Sequence, residues 1–488
     1  MNNYYIVPMT ILTLIAENKS DQGQKYAHLE QLFKGAIRDG ILKPGEKLPP
    51  LRTAAWEAKC SLGTMSRVYS SLERKGLVNA RVGQGTFVQE ATNIGADVIL
   101  PNPLQSQKAP LVNTGQATDL GQMIDLGMNA IANDWGEEII RWALQRTSTK
   151  ASSFNLMTYR DGFGDTQQKL ALRAFLPPLL QEIGEDRILI NHGAQNGVYT
   201  ALGRLTTPGD TICLEPLSYP GVRAAISQLG LSNITVETDE FGICPISFEQ
   251  HCKKGRIRIL VTTATGHNPT CITTPLSRRK EIGLIAQKYD VLIIEDDIYG
   301  FLYPDAPPPY AHLFPEQTIY LSGLAKRISP SLRIGFAIAP PHITMLMAQG
   351  ITAQTWMVSP ILINAAIEIA GRQDDLISFL EEIRKEAKQR HDLTIRTLSP
   401  YATSLKICQS HAWIEFSQDI SIPQLVRRAA EAGVHILDGN RFANNATAGK
   451  HNVRLSIMAP ETAQKLEKAL IKLKTVLSNP NETSCDFF

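Results

Sequence analysis

The feature that most constrains this chain is a series of short, continuously apolar segments at 186–190, 211–215, 257–263, 291–295, 318–322 and 334–339, set apart by stretches of helical periodicity. A strand apolar on both sides has to be covered on both, and strands that alternate with helices form βαβ units. The expectation is an α/β fold with a mainly parallel sheet. The stretch 360–477 reads as a smaller α+β subdomain, and 478–488 as a tail.

The chain has 488 residues, more than one ordinary domain needs. Ahead of the α/β pattern, residues 26–89 alternate helical spacing with turn signals. Leu29, Leu32, Phe33, Ala36 and Ile37 share one helical face, which ends at Gly40. Lys43, Pro44, Gly45 and Glu46 form a turn, and a second helix is expected over 51–59. Ser61 is placed to cap a third helix that runs to Lys75 and stops at Gly76. Two short strands, 77–80 and 86–89, flank Val82, Gly83, Gln84 and Gly85. Three helices and a hairpin make a winged helix-turn-helix. Residues 91–118, with Pro101, Pro103 and Pro110 among polar neighbours, read as a linker. The expected division is therefore 22–90, linker 91–118, 119–477 and tail 478–488.

Charge separates the two parts. Residues 25–88 hold eleven Lys and Arg against five acids, whereas the whole chain carries only +2. A local basic surplus suits a surface that meets phosphate, which supplies most non-specific DNA affinity. In a helix-turn-helix the N-terminal half of the last helix enters the major groove. Thr64, Ser66 and Arg67 then face DNA, with Ser61 at the cap, while Met65, Val68, Tyr69 and Leu72 pack inward. Arg52, opening the preceding helix, suits a phosphate, and Gly83 and Gly85 let the wing backbone come close to the minor groove.

The seven cysteines are scattered, with no Cys-x-x-Cys pair, so neither a disulfide framework nor a metal site is expected, and a reducing cytoplasm fits. The apolar run 6–16 lacks the preceding Lys or Arg of a signal peptide and is too short to span a bilayer. No membrane association is expected.

Two further positions stand out in the α/β part. Asp296 follows an apolar strand, with Tyr299 three residues later; in isolation the acid could serve a cofactor, a metal or a helix cap. Lys326 follows another strand, with Arg333 seven residues beyond. An isolated lysine is far more often a solvated surface group than a reactive one.

Two resemblances sharpen these readings. Leu42-Lys43-Pro44-Gly45-Glu46-Lys47-Leu48-Pro49-x-x-Arg52, Ser61-x-x-Thr64, Tyr69, Leu72, Gly76 and Gly83-x-Gly85-Thr86-Phe87-Val88 resemble the GntR-type winged helix. The chain departs from it at Pro50, where Ser is usual, and at Leu62 and Gly63, where polar or basic residues are common. Over about 350 residues, Tyr159-x-x-x-x-Gly164, Gly193-Ala194-Gln195, Pro216-x-x-Tyr219-Pro220, Asn268-Pro269-Thr270, Asp296-x-x-Tyr299, Lys326-x-x-x-Pro330-x-x-Arg333-x-Gly335 and Arg454-Leu455-Ser456 resemble fold-type I aminotransferases.

That second resemblance implies pyridoxal 5'-phosphate as cofactor. Lys326 would form its Schiff base, Asp296 would pair with the ring nitrogen, and Asn268 and Tyr299 would donate to the phenolic oxygen. Tyr219 would stack on the ring, and Ala194, Gln195 and Arg333 would hold the phosphate. Tyr159 would reach the phosphate of a neighbouring subunit, and Arg454 would bind a substrate carboxylate. The chain departs at Gly323 and Ala325, where small hydroxyl residues usually precede the lysine, and at Cys271, where glycine is usual. In this order, the two parts resemble the MocR/GabR subfamily of GntR regulators. The resemblance implies a head-to-tail homodimer that binds double-stranded operator DNA and senses an amine or amino acid. A working aminotransferase with an accessory winged helix is the alternative.

Overall fold

The computed structural model describes residues 11, 15, 25–38, 41–43, 45–74, 77–81, 85–88, 123–150, 157–255, 257–445 and 447–478. The expected linker 91–118, the tail beyond 478, Pro44, Lys75, Gly76 and Gly83 lie outside them. The chain divides into two units, Met1–Val112 and Asn113–Phe488.

In the first unit, helices α1 (Lys25–Arg38), α2 (Leu51–Glu57) and α3 (Leu62–Arg74) precede a hairpin of β1 (Val78–Arg81) and β2 (Gly85–Val88). Leu29, Phe33 and Ala36 of α1 meet Met65, Val68, Tyr69 and Leu72 of α3 in a core closed by Val78 and Val88. The four α3 positions expected to pack inward are all buried. The Ser61 hydroxyl accepts the Thr64 amide at 3.1 Å, which stops the chain before α3 and sets the helix start. The turn before α2 is more than a turn: Leu48 N–H donates to Thr86 O at 2.8 Å and Val88 N–H to Glu46 O at 2.8 Å, so it lines the wing as a third strand-like segment. Ile11 and Ile15, helical and four residues apart, are buried in the same core, which therefore reaches N-terminal to the boundary expected at 22.

The second unit begins, among the described residues, with β3 (Ile124–Asp125) and α4 (Asp134–Thr149). Its main sheet contains β4 (Ile188–Asn191), β5 (Thr211–Leu214), β6 (Ser232–Thr235), β7 (Ile257–Thr262), β8 (Leu292–Asp296), β9 (Thr318–Gly323) and β10 (Gly335–Ile338), with helix α5 (Ala194–Leu205) following β4. Their order across the sheet is β4-β10-β9-β8-β7-β5-β6. The run from β9 to β6 is parallel, while β10 is antiparallel to both neighbours. Successive residues of one strand enter different cores: Ile188 and Ile190 face one hydrophobic cluster and Leu189 another, as the two-residue period of a doubly covered strand requires.

All six expected strands form, each shifted by no more than two residues at an end. The seventh, β6, has no apolar run. It is an edge strand of sequence Ser-Asn-Ile-Thr with no fully buried residue, so no burial pattern announced it. The C-terminal part holds α6 (Pro360–Ala370), α7 (Gln373–Leu398), β11 (Ser404–Ile407), β12 (Ala412–Glu415), β13 (Val434–His435), β14 (Leu437–Asp438), β15 (Asn452–Leu455) and α8 (Ala463–Ser478). Its sheet, β11-β12-β15-β14, is antiparallel. It is thus the expected α+β subdomain, with one addition: β3, from before the main sheet, pairs with β13. No helix among the described residues is long and apolar enough to cross a membrane.

Candidate functional site

The parallel strands end on one side of the sheet, where open α/β folds hold ligands. Asp296 is the last residue of β8, and Lys326 lies three residues beyond the end of β9, in the short turn of helix Leu324–Arg327. Burial pushes the Lys326 amine down to about 8; the Arg454 cation adds to this, Asp296 opposes it and Arg333 lowers it further. Lys326 Nζ donates to the Asn129 carbonyl. Burial and then the adjacent Asp297 push the Asp296 carboxyl up to about 7, and its Oδ1 is buried with no hydrogen-bond partner. An unpaired buried acceptor of this kind is costly unless a ligand completes it.

Asn129, which sequence reasoning passed over, ties the site together. Its Nδ2 donates to Tyr299 Oη at 2.7 Å, its Oδ1 accepts from Ser456 Oγ at 3.1 Å, and its carbonyl takes the lysine. The signal was weak, because a lone Asn in a loop after the expected linker matches no motif. Arg454, on β15, is 2% exposed. Its Nη2 donates to the Gly127 carbonyl, its guanidinium lies 5.4 Å from the Phe442 ring centroid, and its Nε and Nη1 are buried without partners. A guanidinium with open donors is matched to a carboxylate.

Arg333, whose charge also reaches Lys326, adopts a left-handed backbone, φ 48°, and donates to the His192 carbonyl at 3.0 Å. Gly193, φ 98°, precedes α5, and a Cβ there would lie 3.1 Å from Arg333 Nη2. Ala194 and Gln195 form the first turn of α5, where backbone amides point outward and favour anions. The Gln195 Nε2 already donates to Gly221 O at 2.8 Å and its Oε1 can only accept, so what Gln195 offers an anion is its amide N–H. Tyr219 is 43% exposed, within range of both the Asp296 and Arg333 charges.

Asn268 is buried, with Oδ1 unpartnered, in a loop whose Asn268–Pro269 bond is cis. Arg279, wholly buried and likewise unforeseen, fixes that loop: it donates to the carbonyls of Thr274, Pro307, Pro308 and Ala264 and to Thr265 Oγ1, and lies 3.8 Å from Glu295. Thus Lys326, Asp296, Tyr299, Tyr219, Arg333 and Arg454 lie within electrostatic reach of one another at the ends of the strands. Tyr159 is not; it is 73% exposed, its ring 5.2 Å from that of Trp356.

In the first unit, Arg52, Ser61 and Arg67 are exposed and Thr64 and Ser66 half-buried. Ser61 and Thr64 also share a hydroxyl hydrogen bond of 2.9 Å, so both act first as the cap of α3. Gly85 has φ 115°, a backbone that L side chains rarely adopt, which is what calls for glycine there.

Residues 121–473 match the family model for aminotransferase class I and II, and residues 25–88 that for bacterial regulatory proteins of the gntR family. The chain is 27% identical to the HTH-type transcriptional regulator YdeF of Bacillus subtilis, covering 94% of this chain and 96% of that one. It is 24% identical to the HTH-type transcriptional regulator TauR of Rhodobacter capsulatus, over 92% and 97%. Among solved structures, it resembles the alpha-aminoadipate aminotransferase LysN of Thermus thermophilus with a TM-score of 0.65 and 23% identity, over 74% of this chain and 93% of LysN.

Proposed function

Because the chain belongs to the aminotransferase class I and II family and carries a gntR-family winged helix ahead of that fold, we propose that it is a transcription regulator of the MocR type. In this reading the pocket around Lys326 senses an amine or amino acid and reports it to DNA. Full-length likeness to regulators such as YdeF and TauR favours this over an enzyme.

The residues fit pyridoxal 5'-phosphate. A protonated ring nitrogen needs a buried acceptor, and Asp296 Oδ1 is one without a partner. An anionic phosphate needs amides and a cation, and the first turn of α5 and Arg333 offer both beside Gly193. When bound, the cofactor supplies a reactive carbonyl and an electron sink for amine chemistry. Lys326 would be its covalent anchor, Asn268 and Tyr299 would face its phenolic oxygen, and Tyr219 its ring plane.

The protein's own residues then account for sensing. Lys326 is desolvated, so a useful fraction of its amine is neutral near physiological pH, as a nucleophile must be. Asp296 holds the proton of the ring. A ligand amine that displaces Lys326 and a ligand carboxylate that meets the open donors of Arg454 together would favour a different arrangement of the 127–129 loop, because Gly127 and Asn129 now occupy those two cations. Tyr159, exposed on this unit, would complete a partner's phosphate site in a head-to-tail dimer.

The observation that carries the reading is Lys326, half-buried and within reach of the Asp296 and Arg454 charges, in a chain that also holds a DNA-binding module. Its test is spectroscopic. The purified protein is expected to show a visible cofactor band that Lys326→Ala abolishes with the fold retained, and ligand amines are expected to alter both that band and operator binding. Unchanged absorbance in Lys326→Ala, or rapid amino-acid turnover without operator binding, would overturn it.

A further inference from the structure

Beneath the Asn268 loop lies a cluster that the proposed sensing chemistry does not use. Cys408 and His411 stand three residues apart in the hairpin turn between β11 and β12, and Cys271 comes to them from the loop after Asn268-Pro269-Thr270. One ligand atom from each of the three lies within 4.8 Å of the others. The sequence expectation of no metal site rested on the missing Cys-x-x-Cys. Here a Cys-x-x-His turn and a distant cysteine meet instead.

Three details make this arrangement more than crowding. His411 Nδ1 faces Cys408 Sγ at 3.2 Å, while His411 Nε2 lies 3.2 Å from the Pro269 carbonyl. A carbonyl can only accept, so the tautomer with its proton on Nε2 satisfies that contact and leaves an Nδ1 lone pair facing Cys408 Sγ and Ser410 Oγ, the latter at 2.9 Å; binding an ion there would need the Ser410 hydroxyl to turn away. Tetrahedral zinc sites hold sulphur at about 2.3 Å and nitrogen at about 2.0 Å, placing donor atoms roughly 3.5 to 3.8 Å apart. The cluster needs to close by about an ångström at most. Finally, Cys271 is half-buried as a residue, and its sulphur faces the backbone amides of Cys408 and Trp413. Those amides can support a thiolate after its proton has left. Until then the thiol has the carbonyls of Lys406 and His411 to donate to, each at 3.5 Å.

We propose that Cys271, Cys408 and His411 form a binding site for one soft divalent cation of the zinc type, the fourth position being left to water. Binding releases the two thiol protons, so two thiolates balance the ion's charge. The ion would clip the Asn268 loop to the β11–β12 hairpin. Its effect would reach the pocket, because His411 touches the Pro269 carbonyl and its ring lies 6.2 Å from that of Tyr299.

The test uses the full-length protein, loaded with Zn2+ under reducing conditions, dialysed and assayed by elemental mass spectrometry. One zinc per chain is expected, and Co2+ in its place should give the intense visible bands of a tetrahedral thiolate site. Cys271→Gly is the key variant, because Cys271 has φ 64° and glycine relieves that backbone. It should fold and retain the cofactor band, yet lose at least nine-tenths of the metal. Cys408→Ser should lose it as well. Absence of stoichiometric metal, retention of metal in Cys271→Gly, or recovery of the protein from non-reducing conditions solely as a Cys271–Cys408 disulfide that Zn2+ cannot compete with would each overturn the site. None of these readouts depends on DNA or amine binding, so the sensing proposal stands or falls separately.

Discussion

Lys326 and Asp296 show how little a single residue need change to change its chemistry. Both types are common at protein surfaces; here burial, with Arg454 next, lowers the amine to about 8, and burial, with Asp297 next, raises the carboxyl to about 7. The neutral fraction of Lys326 grows as pH rises through 8, so the apoprotein should take up pyridoxal 5'-phosphate faster from about pH 6 to about pH 9 and then level off. Stopped-flow absorbance would measure it, and a flat profile would refute the assignment. Asp296→Asn should act in opposite directions on the two states. Without cofactor, removing a buried charge should leave melting temperature unchanged or higher; with cofactor, the ligand-induced rise in melting temperature should shrink. Calorimetry on both forms checks this. Lys326 and Asp296 were legible in the sequence through the ordered motifs that resemble fold-type I aminotransferases, since a place near an apolar strand left each of them open. Asn129 and Arg279 were not, since their importance lies in which distant carbonyls and hydroxyls they reach, and no spacing encodes that.

At the scale of elements, the reader helix α3 was the most transparent part of the chain. Its inward residues, its cap and its length all follow from a helical period and one Ser. Arg52→Ala, on the first turn of α2, should weaken DNA binding about equally for all sequences and reduce the salt slope by about one unit, as loss of one phosphate contact does. Arg67→Ala should instead narrow the gap between operator and random DNA. Titrations at several salt concentrations separate the two outcomes. The loop held by Arg279 offers a contrasting test: Arg279→Met strands Glu295 and four carbonyls in the interior and should cost about 3 kcal/mol or more in denaturant unfolding. Strand β6 stayed hidden because an edge strand of polar residues leaves no hydrophobic trace. The antiparallel direction of β10 is equally invisible, since an apolar run reads the same either way.

For the whole molecule, the order of modules could be read from charge and periodicity, whereas the composition of the C-terminal subdomain could not. Its strand β13 is completed by β3, more than 300 residues earlier in the chain, a pairing that no local pattern predicts. The exposed Tyr159 makes assembly the natural variable at this scale. Light scattering is expected to give a dimer, and Tyr159→Phe should keep that mass while weakening cofactor retention; a monomeric protein with full retention would contradict it.

The placement of β3 has a mechanical side. Met123, where the described chain of the second unit begins, is only six residues from Asn129, whose carbonyl Lys326 holds. Between them lie the rungs that Ile124 and Leu126 make with Gly433 and His435. The described segment 124–129, which follows the expected linker in sequence, thus carries both those rungs and the carbonyl that meets the reactive amine. Drawing that amine away removes one hold on this segment, whose others are the Asn129 side-chain bonds, the Arg454 bond to Gly127 and those rungs.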